Sequence, residues 1–274
     1  MKPQQLNTFS MNLQEICSQV VALEQEVSNF MKSERASFSK SKIEVKGLHD
    51  FVSYVDKTSE KRIIEGLKQI LPGSTFLAEE GTVAREEGDY LWIIDPLDGT
   101  TNYIHGISPY AISIALMHNN KLVLGAVMEC SLNECFYAWE GSPAFLNGKE
   151  ISVSDSAAIK DSFVATGFPY YDFSQMEAFK TSLEFFMRES HGIRRLGSAA
   201  TDLVYVAAGR FDIFYEYSLQ PWDVAAGAFI VQQAGGRVCD FRGENNYIFG
   251  KEIIATNDKI HSLALQKINN FFKA

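Results

Sequence analysis

Trp92-Ile93-Ile94-Asp95-Pro96-Leu97-Asp98-Gly99-Thr100-Thr101-Asn102 is the most informative stretch of this chain. An apolar strand runs straight into two carboxylates separated by Pro96 and Leu97, and then into Gly-Thr-Thr. Proline brings no backbone donor to a ladder, so the strand is expected to end at Asp95. Asp95 and Asp98, three residues apart across a turn, can converge on one point. Like charges that close repel unless a cation or a shared proton compensates. Hard divalent cations such as Mg²⁺ take oxygen ligands of this kind. Gly99 permits close backbone approach, and Thr100 and Thr101 offer the hydroxyls and amides a phosphate group requires. Taken alone, the string also reads as an Asp-Pro turn followed by an Asp N-cap of a short helix.

On either side of it the hydrophobic period divides the chain. No Gly or Pro falls between Gln4 and Lys46, and Leu13, Ile16, Cys17, Val20, Val27, Phe30 and Met31 follow the spacing of one long amphipathic helix. A second helix is expected after Asp56, with Ile63, Ile64, Leu67, Ile70 and Leu71 facing inward and Pro72-Gly73 stopping it. Six β-type runs follow, at 75–78, 90–94, 110–117, 122–129, 134–139 and 151–153, which predicts a mainly antiparallel sheet flanked by the two helices. Beyond about 155 the pattern alternates. Strands are expected at 162–166, 212–217, 237–240 and 253–256, with helices at 174–189, 199–208, 224–233 and 259–272. That implies a mixed sheet in an α/β half. The chain therefore divides into a 1–154 α+β half with two long helices and an antiparallel sheet and a 155–274 α/β half with a mixed sheet.

Composition narrows the function classes. With 46% hydrophobic and 22% charged residues over 274 positions, the chain has enough apolar material to bury a core. A net charge of −9 argues against a nucleic-acid surface, which needs clustered Lys and Arg. No apolar run reaches the roughly 20 residues of a membrane span, and Gln and Asn interrupt any signal-peptide core near the N-terminus. Cys17, Cys130, Cys135 and Cys239 have no zinc spacing and read as reduced, mostly buried thiols, which favours a cytoplasmic protein. The five histidines show no metal spacing and read as surface or satisfied polar residues. The run Phe168, Tyr170, Tyr171, Phe173 reads as loop packing or a dimer contact.

Two further segments change the weight of the central one. Phe76-Leu77-Ala78-Glu79-Glu80-Gly81 is another apolar strand ending in acids. Pro221-Trp222-Asp223 places an acid at the start of a small-residue helix. Together with Lys46-Gly47-x-x-Asp50-Phe51-Val52-x-x-Val55-Asp56, Ala165-Thr166-Gly167-Phe168-Pro169, Arg195-x-Gly197-Ser198-Ala199-Ala200 and Val206-Ala207-Ala208-Gly209-Arg210, they form an ordered set of blocks. From Lys46 to about Asn257 this set resembles the inositol monophosphatase family of Mg²⁺-dependent, lithium-sensitive phosphatases, most closely its bacterial inositol-1-monophosphatase branch.

The resemblance implies an α+β fold, a layered αβαβα sandwich of the inositol monophosphatase/fructose-bisphosphatase type. It implies two or three Mg²⁺ per site. Glu79, Asp95 and the Leu97 carbonyl match the ligands of a first metal, and Asp95, Asp98 and Asp223 those of a second, with a third near Glu79. Asp56 and Thr100 match the pair that orients and helps deprotonate the attacking water, Glu79 completing the catalytic set. Gly99, Thr100 and Thr101 match the phosphate cradle. Gly197, Ser198, Ala199, Glu216 and Asp223 fall at substrate positions. His49 stands where Asn is common and Ser198 where Thr is frequent, both conservative in hydrogen bonding. The implied reaction is hydrolysis of myo-inositol monophosphate, or of a related sugar or polyol monophosphate, by a homodimer with no nucleic-acid or membrane partner. Sibling activities on the same scaffold are fructose-1,6-bisphosphatase, 3′-phosphoadenosine-5′-phosphate phosphatase and histidinol-phosphate phosphatase. Arg194, Arg195 and Arg210 keep a bisphosphate substrate open. A non-catalytic regulatory dimer is the reading from a different class.

Overall fold

The computed structural model describes residues 12–36, 43–47, 50–84, 88–170 and 172–272. The expected helix over the first forty residues is α1 (Leu13–Ala36). Its extensions to residues 4–11 and 37–42 lie outside the described residues, as do His49, Tyr171 and the side chain of Lys46. A short hairpin that the periodicity did not reveal, β1 (Ile43–Gly47) with β2 (Asp50–Ser53), leads into α2 (Tyr54–Ile70).

Then comes a sheet of seven strands in sequence order: β3 (Thr75–Ala78), β4 (Tyr90–Asp98), β5 (Ala111–His118), β6 (Lys121–Glu129), β7 (Glu134–Trp139), β8 (Ala144–Leu146) and β9 (Lys149–Ile151). Only the β3–β4 pair is parallel. The short helix α3 (Thr100–His105) follows β4. A single strand was expected at 151–153. Instead Asn147-Gly148, both at positive φ, turn a three-residue hairpin from 144 to 151. Strands that short are below the length at which alternation can be read.

The second sheet holds β10 (Phe163–Thr166), β11 (Gly192–Arg194), β12 (Ile213–Tyr217), β13 (Arg237–Cys239) and β14 (Glu252–Thr256), in the order β11-β10-β12-β14-β13. It is mixed, as expected: β10 runs parallel to β11 and β12, while β14 runs antiparallel to β12 and β13. Its helices are α4 (Met176–Glu189), α5 (Ala199–Ala207), α6 (Pro221–Gln233) and α7 (His261–Phe272).

Side-chain alternation assembles these pieces into five layers. Along β4, Trp92 and Ile94 face α1 and α2 together with Ile112, Ile114 and Leu116, whereas Ile93, Ala111 and Ala115 face the other way. That inner face packs on α5 and α6, whose opposite sides meet Ala165, Phe214, Ile253 and Ala255 of the second sheet. The far side of the second sheet is covered by α4 and α7 through Phe179, Phe186, Ala264 and Ile268. Helix α6 is buried on nearly every side, which is why its sequence is small and apolar rather than amphipathic. The order is αβαβα.

Close approach in the middle layer depends on small residues. A methyl group at Gly125 of β6 would sit 2.7 Å from the carbonyl oxygen of Ala226 in α6. Gly125→Ala is expected to cost about 1–3 kcal/mol by overpacking. Calorimetry should register that as a Tm lower by roughly 2–5 °C.

All four cysteines are buried free thiols. Burial pushes Cys17, Cys130 and Cys239 up to about 12, so they are poor thiolates. His261 is buried with its Nδ1 3.0 Å from Thr256 Oγ1, a satisfied core histidine. No helix among the described residues is long and apolar enough to cross a membrane.

Candidate active site

The expectation that the strand ends at Asp95 is corrected by the ladder. Asp95 pairs with Ser113 and Asp98 with Ala111, so three steps on β4 match two on β5. One extra residue makes a β-bulge, and Pro96 sits inside it, where no ladder donor is needed. The bulge turns both carboxylates toward the end of the sheet without ending the strand. By alternation Asp95 shares the face of Ile93, the face that packs on α6, whose third residue is Asp223.

Glu79, Asp95, Leu97, Asp98, Gly99, Thr100, Thr101, Gly197, Ser198, Ala199, Glu216 and Asp223 all line one cavity of about 450 Å³. Every candidate cradle, ligand and pocket residue except Asp56 is therefore in its wall. Asp56 lies just behind, buried in the first turn of α2, where its Oδ1 accepts a hydrogen bond from the Thr100 hydroxyl at 3.0 Å. The Leu97 carbonyl is an alternative acceptor for that hydroxyl, also at 3.0 Å.

Local backbone explains how each group is held. Gly99 adopts φ +88°, and a side chain there would press on the Pro109 and Gly197 carbonyls at 3.0 and 3.2 Å. Asn102 donates to Pro109 O at 2.8 Å and to Leu196 O at 2.9 Å, joining α3 to the loop before Gly197. Ser198 is the N-cap of α5. Its hydroxyl donates to Asp98 Oδ2 at 2.6 Å, and the Ala200 amide donates to the same oxygen at 2.7 Å. Asp223 caps α6, its Oδ2 accepting from the Gln220 amide at 2.7 Å. Asp95 Oδ1 accepts from the Leu97 amide at 2.9 Å. A side chain at Gly167 would overlap the Glu216 carboxyl, so a glycine there leaves room for that acid.

Electrostatically the cavity is crowded with anions. Burial, then repulsion from Asp223, pushes the Glu79 carboxyl well above the usual carboxylate range. Asp95 is raised likewise by burial, Glu79, Asp98 and Asp223, and the two carboxyls share a hydrogen bond. Burial lifts Asp98 to about 6 against the hydrogen bonds from Ser198 and Ala200. Asp223 is lifted to about 7 by burial and by Asp98. Glu216 and Asp202 are raised too, by burial first. Among the described residues lining the cavity, Arg195 is the one Lys or Arg.

Hard oxygen donors that repel one another fit a divalent cation in kind. Among the described residues, no three His, Cys, Asp or Glu side chains are gathered as a finished ligand set around one point. Asp95, Asp98 and Asp223 each accept a backbone N–H on one carboxylate oxygen, and Glu79 and Asp95 share a hydrogen bond.

Sequence reading missed Asp202 and Trp222 as wall residues, read Phe168 and Tyr170 as packing, and kept Arg195 only as one of three candidate arginines. Asp202, in the first turn of α5, is buried with Oδ1 unpartnered, and Phe168, Tyr170, Arg195 and Trp222 also line the cavity. An acid inside an otherwise small, apolar helix was the available signal for Asp202. The Arg195 guanidinium lies over Phe168 and Tyr170, each at 5.3 Å, so part of the exposed aromatic run forms the cavity rim.

The five-layered αβαβα fold thus brings acids from β3, β4 and α6 together in one cavity beside a Gly-Thr-Thr helix start. The chain belongs to the inositol monophosphatase family, whose model matches residues 5–271. It is 42% identical over 229 residues to a putative Nus factor SuhB of Neisseria meningitidis, covering 83% of this chain and 88% of that one. It is 40% identical to the fructose-1,6-bisphosphatase/inositol-1-monophosphatase of Thermotoga maritima, covering 81% and 84%. The crystal structure of extragenic suppressor protein suhB from Bartonella henselae superposes with a TM-score of 0.88 at 37% identity, covering 93% of this chain and 98% of that one.

Proposed function

We propose that this chain is a Mg²⁺-dependent phosphomonoesterase that hydrolyses myo-inositol monophosphate, or a related sugar or polyol monophosphate, to the alcohol and inorganic phosphate. The observation that carries the reading is the meeting of Glu79, Asp95, Asp98 and Asp223, from three separate segments, in one cavity beside Gly99-Thr100-Thr101 and the Asp56–Thr100 pair. Glu79, Asp95 and the Leu97 carbonyl would hold one cation; Asp95, Asp98 and Asp223 would hold a second, with a third near Glu79. Such cations neutralise the phosphate dianion, acidify bound water and support the leaving alkoxide. Donating its own hydroxyl proton to Asp56, Thr100 keeps lone pairs free to accept from the attacking water and orient it. The backbone at Gly99, Thr100 and Thr101, at the start of α3, supplies N–H groups to the phosphate. Gly197, Ser198, Ala199 and Glu216 take the alcohol side.

A monophosphate is favoured over a bisphosphate by where the basic residues stand. Arg194 stacks over Phe163, and Arg210 is paired bidentately with Glu134 at 2.6 Å. That leaves Arg195 in the wall, facing the acids Asp202 and Glu216. We further propose a cytoplasmic homodimer sensitive to Li⁺.

Phosphate release from a panel of inositol, sugar and nucleotide monophosphates and fructose 1,6-bisphosphate, with and without Mg²⁺ and with Li⁺, tests the reading. Mg²⁺-dependent turnover of a polyol monophosphate, inhibited by Li⁺, is expected. No turnover on any member would favour the second reading, a regulatory dimer, which is supported by relatives carrying the name Nus factor SuhB.

A further inference from the structure

We infer that Glu60 is a positioning residue for the cation-binding end of the site, acting through the turn that carries Glu79. The inference rests on the metal-dependent reading above. Glu60 lies on α2 four residues after Asp56, so the two acids share one helix face. Its side chain is fully buried. Both carboxylate oxygens are committed to a single turn: Oε2 accepts from the Glu80 amide at 2.7 Å and Oε1 from the Thr82 amide at 2.7 Å. Gly81, between them, turns the chain at φ +62°.

Glu79 is thus anchored on both sides. Its own amide donates to Ile94 O at 3.2 Å, extending the β3–β4 pairing by one rung. The next peptide is clamped by Glu60. From the same helix face Asp56 reaches the Thr100 hydroxyl. A single rigid helix therefore sets the spacing between the water-orienting pair and the first acid. The residue type matters. Burying a carboxylate is costly unless it is hydrogen-bonded, so an apolar side chain would serve a purely structural helix–turn contact better. A carboxylate can accept two N–H groups without presenting a donor, whereas an amide of the same shape turns its NH₂ toward one of them. Charge-assisted bonds to backbone amides are also the stronger kind.

Glu60→Gln retains the volume and tests that logic in the full-length chain. Three measurements are made on wild type and variant: hydrogen exchange of the peptide spanning 79–84, calorimetric titration with Mg²⁺ alone, and Mg²⁺ dependence of phosphate release. The expected result is faster exchange at the Glu80 and Thr82 amides and Mg²⁺ affinity weakened about tenfold. The Mg²⁺ concentration for half-maximal turnover should rise by the same factor, while kcat at saturating Mg²⁺ returns to within about twofold of wild type. A merely structural role would lower Tm and leave the Mg²⁺ dependence in place. Should Glu60→Gln be insoluble, Glu60→Asp, which keeps the charge one methylene short, must show the same shift at smaller size. Unchanged Mg²⁺ affinity in a variant whose Glu80 and Thr82 amides exchange faster overturns the role of Glu60 alone. A wild type that neither binds Mg²⁺ nor releases phosphate overturns the phosphatase reading with it.

Discussion

Asp95→Asn should lower Mg²⁺-dependent phosphate release by about 10³-fold or more, since on the proposed reading this carboxylate would help hold both cations, and stabilising transition-state charge is worth about 4 kcal/mol. The same variant should fold well. Asn keeps an acceptor for the Leu97 amide, which now donates to Asp95 Oδ1 at 2.9 Å. It also removes a buried acid whose ionisation burial, Glu79, Asp98 and Asp223 all oppose. Without metal its Tm should equal or exceed that of wild type, the usual relation where a site trades stability for function. Calorimetry and a phosphate assay on one preparation decide it: an Asp95→Asn protein with full activity would sink the site assignment.

Chelation is expected to abolish turnover and to expose a pH-dependent weakness. Burial raises Asp98 from 3.8 to about 6, and burial together with the Asp98 charge raises Asp223 from 3.8 to about 7. A carboxyl with a higher pKa folded than unfolded binds extra protons in the native state between the two values. Its contribution to stability therefore falls as pH rises through that window. The metal-free protein should lose stability between about pH 4 and about pH 7. Mg²⁺ at 100 times its Kd adds about 2.7 kcal/mol, or roughly 5 °C in Tm. The gain should be large at pH 7.5 and small at pH 5, where protons already neutralise the acids. Turnover that persists in chelator, with a Tm indifferent to Mg²⁺ at pH 7.5, would contradict the proposed metal dependence.

The acid excess has a partly local origin. Asp56, Glu79, Asp95, Asp98 and Asp223 amount to more than half of the net charge of −9. A cavity so lined repels a phosphate, so on the proposed reading cation must precede or accompany substrate.

Long periodic elements were legible from composition and spacing alone. The amphipathic face of α1 and the strand β7 fall where the pattern of buried positions put them, because hydrophobic burial imposes its period over many residues. Hairpins of three to five residues, β1–β2 and β8–β9, and the strand β11 carry too few alternations to be seen. The bulge at Pro96 was misjudged for a related reason: proline excludes a ladder bond, but only the partner strand decides whether pairing resumes beyond it.

For the site, the residue types were legible in the sequence: five acids, a Gly-Thr-Thr start and a small-residue helix, near the ends of regular elements or, for Asp95, at a bulge within one. Tertiary structure alone decided which groups share a wall and which hold others in place. Asp202 and Arg195 enter the cavity, and Glu60 closes on the Glu79 turn, through contacts between segments distant in the chain. Local spacing encodes the direction of a side chain on its own helix or strand. The packing of α2, α5 and α6 against two sheets sets what that side chain meets, and no local pattern carries that information.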